Sequence, residues 1–178
     1  MTSTAASPWE EEAHRPYTRQ PLLKEVLQHG SDRPALALQE DSWCADNDIN
    51  MVLGQPGTGL DTGAHSVKLA DGSSLNSDGR VLATWLVHRP LLRLDQLSNA
   101  HRLRTLDDAE RLERTLVAGR HLVVGTGFVG LEVAASARSR GLDITVVDGS
   151  RRCLWAGPSG RSSGSDTGPC TSAPAWGC

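Results

Sequence analysis

A single glycine-rich segment restricts the fold of this chain more than any other feature. The run His121 to Val124 is short, apolar and partly β-branched, as a buried parallel strand requires. It leads into Gly125-Thr126-Gly127-Phe128-Val129-Gly130, a G-x-G-x-x-G pattern, and an Ala-rich helix follows from Leu131 to Arg140. Gly141 ends that helix, and Ile144 to Val147 forms a second strand that closes on Asp148. This order of strand, glycines, helix, strand and acid within about 30 residues predicts a βαβ unit of an α/β protein.

The glycine positions have a mechanical meaning that points to a dinucleotide. Gly125 permits the tight strand-to-helix turn, Gly127 lets the backbone approach a diphosphate, and Gly130 lets the helix pack close to the strand. The free N–H groups at the helix N-terminus then hold the diphosphate. Asp148 stands where an acid accepts ribose hydroxyls, which favours NAD over NADP, although the pair Arg151-Arg152 could receive a 2′-phosphate. The alternative is an ordinary βαβ unit whose glycines only ease packing.

The segments before this unit carry weaker patterns. An Asp-Gly pair, Asp71-Gly72, lies between alternating residues and predicts a β-hairpin from Ser66 to Leu75. Thr105 and Asp108 resemble a capping box for a helix from about Leu106 to Ala118, with Gly119 as its stop. The remaining expectations are disorder over residues 1–8, a helix from Leu22 to Leu27 stopped at Gly30, a strand from Arg80 to Thr84, and either strand or loop from Trp43 to Leu53.

Composition and charge argue against several classes of protein. A net charge of -3 and a pI of about 6.0 do not suit a surface that neutralises phosphates, so we expect no nucleic-acid partner. No stretch approaches the ~18 apolar residues that cross a bilayer, so we expect no membrane association. The first eight residues lack the features of a secretory signal, and we therefore expect a cytoplasmic protein.

The last 26 residues differ in kind from the rest. From Cys153 onward the chain is dominated by Gly, Ser and Pro without a hydrophobic period, which predicts a disordered tail. Three of the four cysteines, Cys153, Cys170 and Cys178, lie in this tail, and Cys44 lies in the body. Their spacing fits neither a zinc site nor a Cys-x-x-Cys pair, so we expect unpaired thiols and no metal.

The glycine motif is one of several segments that occur in an order typical of one family. They are Glu12 to Lys24 (EAHRPYTRQPLLK), Asp71-Gly72, Leu82-Ala83-Thr84, Leu103 to Ala109 (LRTLDDA) and Gly125 to Arg138. Over most of residues 9 to 152 the chain resembles the FAD-dependent ferredoxin reductases of the pyridine nucleotide-disulfide oxidoreductase superfamily. The resemblance implies FAD and NAD as cofactors and a ferredoxin-type iron-sulfur protein as partner, with hydride passing from NADH to flavin and single electrons onward.

The resemblance also implies roles for individual residues. It places Arg19 and Lys24 on the flavin side, and Glu132 opposite Lys24 beside the nicotinamide, where the pair would stabilise charge that develops during hydride transfer. The alternative is that Lys24 and Glu132 are solvated surface charges. Glu11 or Glu12 corresponds to the acid that holds the FAD ribose. The implied cofactor-binding set is Glu12, Arg19, Lys24, Ala83, Thr84, Gly125, Gly127, Phe128, Val129, Gly130 and Asp148.

The implied fold is a Rossmann-like FAD/NAD(P)-binding fold that is incomplete at both ends. Residues 9–104 correspond to part of an FAD-binding domain and residues 105–152 to part of an NAD-binding βαβ unit. The chain starts where the second strand of the family's FAD unit should be ending, and it leaves the pattern after Arg152. Trp85 replaces an expected glycine, and its indole could obstruct the cofactor. The alternatives to an active reductase are an inactive remnant and a nucleotide-binding module without catalysis.

Overall fold

The structure is a computed structural model that describes residues 6–40, 42–84, 86, 88, 90–91 and 94–148. The helices before residue 105 are short, and the two longest described helices follow it. In chain order the elements are β1 (Trp9–Glu10), a 3-10 turn (Gln20–Leu23), α1 (Glu25–His29), α2 (Arg33–Leu36), α3 (Trp43–Asp46), β2 (Val52–Leu53), β3 (Gly57–Asp61), β4 (Ser66–Leu69), β5 (Ser74–Asn76), α4 (Leu106–Thr115), β6 (Arg120–Val124), α5 (Phe128–Ser139) and β7 (Asp143–Val147).

The βαβ unit predicted from the glycine motif is present. Strands β6 and β7 pair in parallel along their whole length, from Arg120 opposite Asp143 to Val124 opposite Val147. Helix α5 connects them and packs against both strands. The helix begins at Phe128 rather than at Leu131, because the turn after β6 needs only three residues before the backbone becomes helical. The α/β, Rossmann-like fold class is therefore confirmed.

The two faces of the β6–β7 sheet differ in exposure. Residues alternate along each strand, so that one face packs toward α5 while the other carries the exposed side chains. Leu122 is 59% exposed, Val124 45% and Val147 41%. Parallel sheets usually bury both faces. The described residues leave the face opposite α5 uncovered, so these apolar side chains are exposed there.

The first described residues pair with a distant segment. Ala6 forms a parallel bridge with Ile49, and the carbonyl of Pro8 accepts from the Val52 amide at 3.0 Å. Strand β1 continues this pairing with β2. The expected disorder of the first eight residues is thus wrong for residues 6–8, because local composition does not register a distant backbone partner. Residues 1–5 lie outside the described residues, as do residues 149–178 and the tail expected to be disordered.

Strands β3, β4 and β5 form an antiparallel meander, and the predicted hairpin is its second half. Ser66 lies opposite Asn76 and Lys68 opposite Ser74, with Asp71-Gly72 in the turn as expected. The strand predicted from Arg80 to Thr84 is wrong: no helix or strand occurs there. A strand needs a neighbour, and no described strand pairs with residues 80–84, although the Arg80 guanidinium donates to the carbonyls of His65 and Leu75.

Helix α4 starts as the sequence predicts. Thr105 Oγ1 accepts from the Asp108 amide at 3.1 Å, and Asp108 Oδ2 accepts from the Thr105 amide at 3.2 Å, which completes the capping box. The helix ends at Thr115, one turn before the predicted end at Ala118. The early stop brings the buried side chain of Leu116 out of the helix and into the core.

The core connects the N-terminal segments to the βαβ unit through α1. One side of α1 contributes Val26 to a cluster that it shares with Leu22, Leu36, Leu106 and Ala109. The other side contributes Leu27 to a second cluster, with Leu116, Ala137 and Leu142. Both Val26 and Leu27 are at most 1% exposed. Consequently α1 fixes where α5 lies relative to the preceding chain. No described helix is long and apolar enough to span a bilayer.

Candidate functional site

The turn between β6 and α5 has the backbone geometry that the glycine pattern requires. Gly125 adopts a φ of 116°, a region that side-chain-bearing residues rarely occupy. A Cβ on Gly130 would lie 2.2 Å from the carbonyl oxygen of Gly125, so only a glycine lets α5 approach the turn this closely. A Cβ on Gly127, by contrast, would meet nothing within 4 Å. The turn thus leaves open space beside Gly127.

The first turn of α5 begins beside this space. Gly127 is the N-cap residue, and as a glycine it has no side chain that could cap the helix. Phe128 and Val129 follow on the surface, 70% and 44% exposed. Uncapped N–H groups at a helix N-terminus, together with the positive end of the helix dipole, bind anions such as a diphosphate. The residues present therefore fit the diphosphate of a dinucleotide.

Asp148 lies next to the same turn, at the end of β7. Its Oδ2 accepts a hydrogen bond from the Thr126 amide at 2.8 Å and another from the Thr126 hydroxyl. The Gly125 amide donates to the Val147 carbonyl at 2.7 Å. The acid that the sequence pairs with the glycine turn is therefore beside it in space.

Lys24 and Glu132 form an ion pair between the N-terminal half and the βαβ unit. Lys24 Nζ lies 3.2 Å from Glu132 Oε2. Lys24 precedes α1, and Glu132 belongs to the first half of α5. The lysine side chain is 57% exposed and the glutamate side chain 22% exposed, so the pair lies at the surface and is open to a ligand. The two residues proposed from the resemblance are brought together.

Two residues that sequence reasoning missed help to hold this pair in place. Ser136 is 1% exposed, and its hydroxyl donates to the Leu23 carbonyl at 2.7 Å, next to Lys24. Arg140 donates to the Leu27 carbonyl at 2.6 Å, at the other end of α5. A serine within an Ala-rich helix was the available signal for Ser136, since a buried hydroxyl requires a partner.

Glu12 occupies a second polar cluster. Its Oε2 accepts from the Tyr17 hydroxyl at 2.5 Å, and its Oε1 accepts from Arg19 at 2.7 Å. Arg19 also donates to the Arg104 carbonyl at 2.8 Å, and the Tyr17 oxygen accepts from the Leu106 amide at 2.9 Å. Glu12 and Arg19 thus tie the N-terminal segment to the start of α4. They also line an open cavity of about 150 Å³ with Glu10, His14, Arg15, Pro16, Tyr17 and Leu38.

Tyr17 gives a testable consequence of this cluster. Replacing Tyr17 with Phe removes a hydroxyl that donates to Glu12 and accepts from the Leu106 amide. We expect the free energy of unfolding at neutral pH to fall by about 1–3 kcal/mol, because one charged and one neutral hydrogen bond lose their partner. Urea unfolding followed by circular dichroism measures this change.

The dependence of stability on pH in alkaline solution provides the control for the Tyr17 prediction. Burial, then the hydrogen bond to Glu12, raises the pKa of Tyr17 above its usual value of 10.0. Because the folded pKa is raised, this contribution to stability is complete below pH 10.0 and is lost as the pH rises through the folded value. Tyr17 is the only tyrosine, so an ultraviolet titration reports it directly. A tyrosinate that appears at the ordinary pH in folded protein contradicts the cluster.

The other predicted site residues lie apart from these clusters or outside the described residues. Ala83 and Thr84 occupy an exposed segment without regular secondary structure, and Trp85 is not among the described residues. Among the described residues Cys44 forms no disulfide, and its Sγ lies 3.2 Å from the Met51 sulfur. Within the described part of the chain, no group of His, Cys, Asp and Glu could hold a metal ion.

Comparison with known proteins gives consistent results. Residues 6–161 match the family described as pyridine nucleotide-disulphide oxidoreductase. The chain is 41% identical over 135 residues to rhodocoxin reductase from Rhodococcus erythropolis, which covers 75% of this chain and 32% of that protein. It is 38% identical over 140 residues to the ferredoxin–NAD(+) reductase subunit of the benzene 1,2-dioxygenase system of Pseudomonas putida. This match covers 78% of this chain and 34% of that protein.

Solved structures agree with the sequence relatives. The reductase in the covalent putidaredoxin reductase–putidaredoxin complex superposes with a TM-score of 0.78 at 32% identity, covering 85% of this chain and 37% of that one. A ferredoxin reductase from Rhodopseudomonas palustris superposes with a TM-score of 0.69 at 30% identity. This match covers 80% of this chain and 35% of that one. The chain spans about a third of the length of these relatives. The family match covers most of the sequence, and the fold agrees with it: the chain belongs to the pyridine nucleotide-disulphide oxidoreductase family.

Proposed function

We propose that this chain is part of an FAD-dependent NADH oxidoreductase of the ferredoxin reductase type. The observation that carries this proposal is the Lys24–Glu132 ion pair, with its 3.2 Å separation. It joins a residue of the flavin-side segment to a residue just after the glycine motif. A hydride-transfer site needs such a junction, because the nicotinamide and the flavin must meet there.

The nucleotide side of the site fits NADH. In this proposal Gly125, Gly127 and Gly130, with the backbone amides of Phe128 and Val129, hold the diphosphate at the N-terminus of α5. Asp148 accepts the hydroxyls of the adenosine ribose, which favours NADH over NADPH. The open space beside Gly127 and the position of Asp148 next to the turn support both assignments.

The residues expected to bind FAD fit that cofactor less completely than the glycine turn and Asp148 fit NADH. Both carboxylate oxygens of Glu12 are engaged by Tyr17 and Arg19, so an FAD ribose would have to share or displace these donors. The sequence contains the G-x-G-x-x-G pattern once, at Gly125, and that copy serves the NADH diphosphate. We therefore assign to FAD only the neighbourhood of Lys24 and Arg19, and Ala83 and Thr84 by resemblance.

Lys24 and Glu132 have complementary tasks in this proposal. A bound flavin supplies a two-electron acceptor for hydride and a one-electron donor for an iron-sulfur partner. In this proposal the Lys24 ammonium would lie beside the flavin and stabilise the negative charge that develops there during hydride transfer. Glu132 orients that ammonium through the ion pair and keeps it at the junction. A ferredoxin-type iron-sulfur protein is the partner we propose, since relatives carry the names of ferredoxin reductase components.

A spectroscopic experiment tests the proposal. Purified chain incubated with FAD is expected to retain a yellow flavin spectrum, and anaerobic NADH is expected to bleach it. Lys24→Gln should slow bleaching by about tenfold or more, because the developing charge loses its nearest cation. Lys68→Gln is the matched control: Lys68 is the only other lysine, is exposed on β4, and should bleach like the wild type.

The competing candidate is a nucleotide-binding module without catalysis. It is favoured because the glycine motif, to which we assign the diphosphate, occurs once in the sequence and belongs to the βαβ unit. A protein that stays colourless with FAD yet binds NADH in calorimetry would support the module and eliminate the oxidoreductase. A protein that binds neither cofactor would support an inactive remnant of the family.

A further inference from the structure

We propose that Thr126 is a specificity-determining residue of the nucleotide site, because it holds the Asp148 carboxylate in the orientation that selects NADH over NADPH. This inference rests on the proposed NADH binding by the βαβ unit and adds a positioning role to a residue that the glycine pattern leaves open. The hydroxyl of Thr126 is the group that acts, through Asp148 rather than through direct contact with the nucleotide.

Thr126 provides two hydrogen-bond donors to a single carboxylate oxygen of Asp148. The Thr126 amide and the Thr126 hydroxyl both donate to Asp148 Oδ2. The neighbouring Gly125 amide donates to the Val147 carbonyl at 2.7 Å, so two successive residues of the turn are tied to two successive residues at the end of β7. The turn and the acid therefore form one hydrogen-bonded unit.

This arrangement matters because Asp148 is exposed. An exposed aspartate alone samples several rotamers, so its charge has no fixed position. Two donors to the same oxygen select one rotamer and fix the carboxylate beside the turn that receives the diphosphate. A fixed carboxylate accepts from ribose hydroxyls and repels a 2′-phosphate, and the repulsion depends on the distance between the two negative groups.

The identity of residue 126 is not explained by the turn itself. The pattern requires glycines at 125, 127 and 130, where backbone conformation, approach and packing exclude side chains, but it accepts any residue at 126. Gly125 and Gly130 satisfy those requirements in this structure without help from the Thr126 hydroxyl. The contact with Asp148 gives that hydroxyl a function.

The test compares two substitutions of Thr126 in the full chain. Thr126→Val keeps the shape of the side chain and removes the hydroxyl, whereas Thr126→Ser keeps the hydroxyl. Calorimetry gives the dissociation constants of NADH and NADPH, and their ratio is the readout. We expect Thr126→Val to reduce the preference for NADH by about tenfold and Thr126→Ser to retain it. Asp148→Asn provides the reference for complete loss of the charge.

Each other outcome has a definite meaning. An unchanged ratio in Thr126→Val overturns the inference, because the hydroxyl then serves only local structure. Tighter NADH binding also overturns it, because the Thr126–Asp148 contact would then compete with the ribose. If Thr126→Val does not fold, as judged by circular dichroism, Thr126→Ala is measured by the same ratio. Wild-type protein that binds neither nucleotide defeats the proposed function itself and this inference with it.

Discussion

Gly130→Ala is expected to destabilise the βαβ unit by about 3 kcal/mol or more. The added Cβ would lie 2.2 Å from the Gly125 carbonyl oxygen and 3.2 Å from the Gly125 carbonyl carbon. Both atoms belong to the backbone, so no side-chain rotation relieves the contact. The turn or α5 must shift, and that shift weakens the packing of Ala137 against Leu27 and Leu116. Urea unfolding monitored by circular dichroism measures the loss.

Gly127→Ala is the matched control for this experiment. The same methyl group is added three residues earlier, where a Cβ meets nothing within 4 Å and φ is -69°. We expect its unfolding midpoint to stay near that of the wild type, since only a small N-cap preference changes. Equal stabilities of Gly130→Ala and the wild type would contradict the close approach of α5 to the turn.

Gly127→Val is expected to lower NADH affinity by about 100-fold, a loss of roughly 2.7 kcal/mol. The free chain tolerates the side chain, because the space beside Gly127 is empty of protein atoms. The same space is where we propose the diphosphate, so two added methyl groups and a bound nucleotide exclude each other. Calorimetric titration of the variant with NADH gives the measurement.

Gly79→Val controls for the cost of adding valine at an open glycine. A Cβ at Gly79 also meets nothing within 4 Å, and the residue lies outside the βαβ unit. It should bind NADH like the wild type. If Gly127→Val folds and its NADH affinity is unchanged, the diphosphate does not lie against the start of α5. Comparison with Gly130→Ala separates the two glycines, one required for folding and the other for binding.

Local patterns in the sequence were sufficient to predict those elements that are stabilised by residues close together along the chain. The capping box of α4 was predictable because Thr105 and Asp108 satisfy each other's backbone donors within one turn. The hairpin of β4 and β5 was predictable because Asp71-Gly72 suits its turn. Both predictions depend only on residues that are neighbours along the chain.

Predictions failed where a distant partner decides the outcome. The apolar residues Val81 and Leu82 suggested a strand, yet they are exposed and no described strand pairs with them. Ala6 and Pro8 suggested disorder, yet they pair with residues near β2. Strands β1 and β2 have two residues each, which is too short for the alternating pattern by which a strand is recognised in a sequence.

The sequence by itself determined the βαβ unit, its glycine turn and the family, because glycine conformation, helix capping and strand alternation are properties of short runs of residues. The resemblance also named Lys24 and Glu132 as opposed charges. Only the tertiary structure decided that they meet at 3.2 Å, since their separation depends on α1 packing against α5 through Leu27 and Ala137. It likewise decided that Thr126 holds Asp148, because that contact forms between the ends of two strands that pair only in the folded chain.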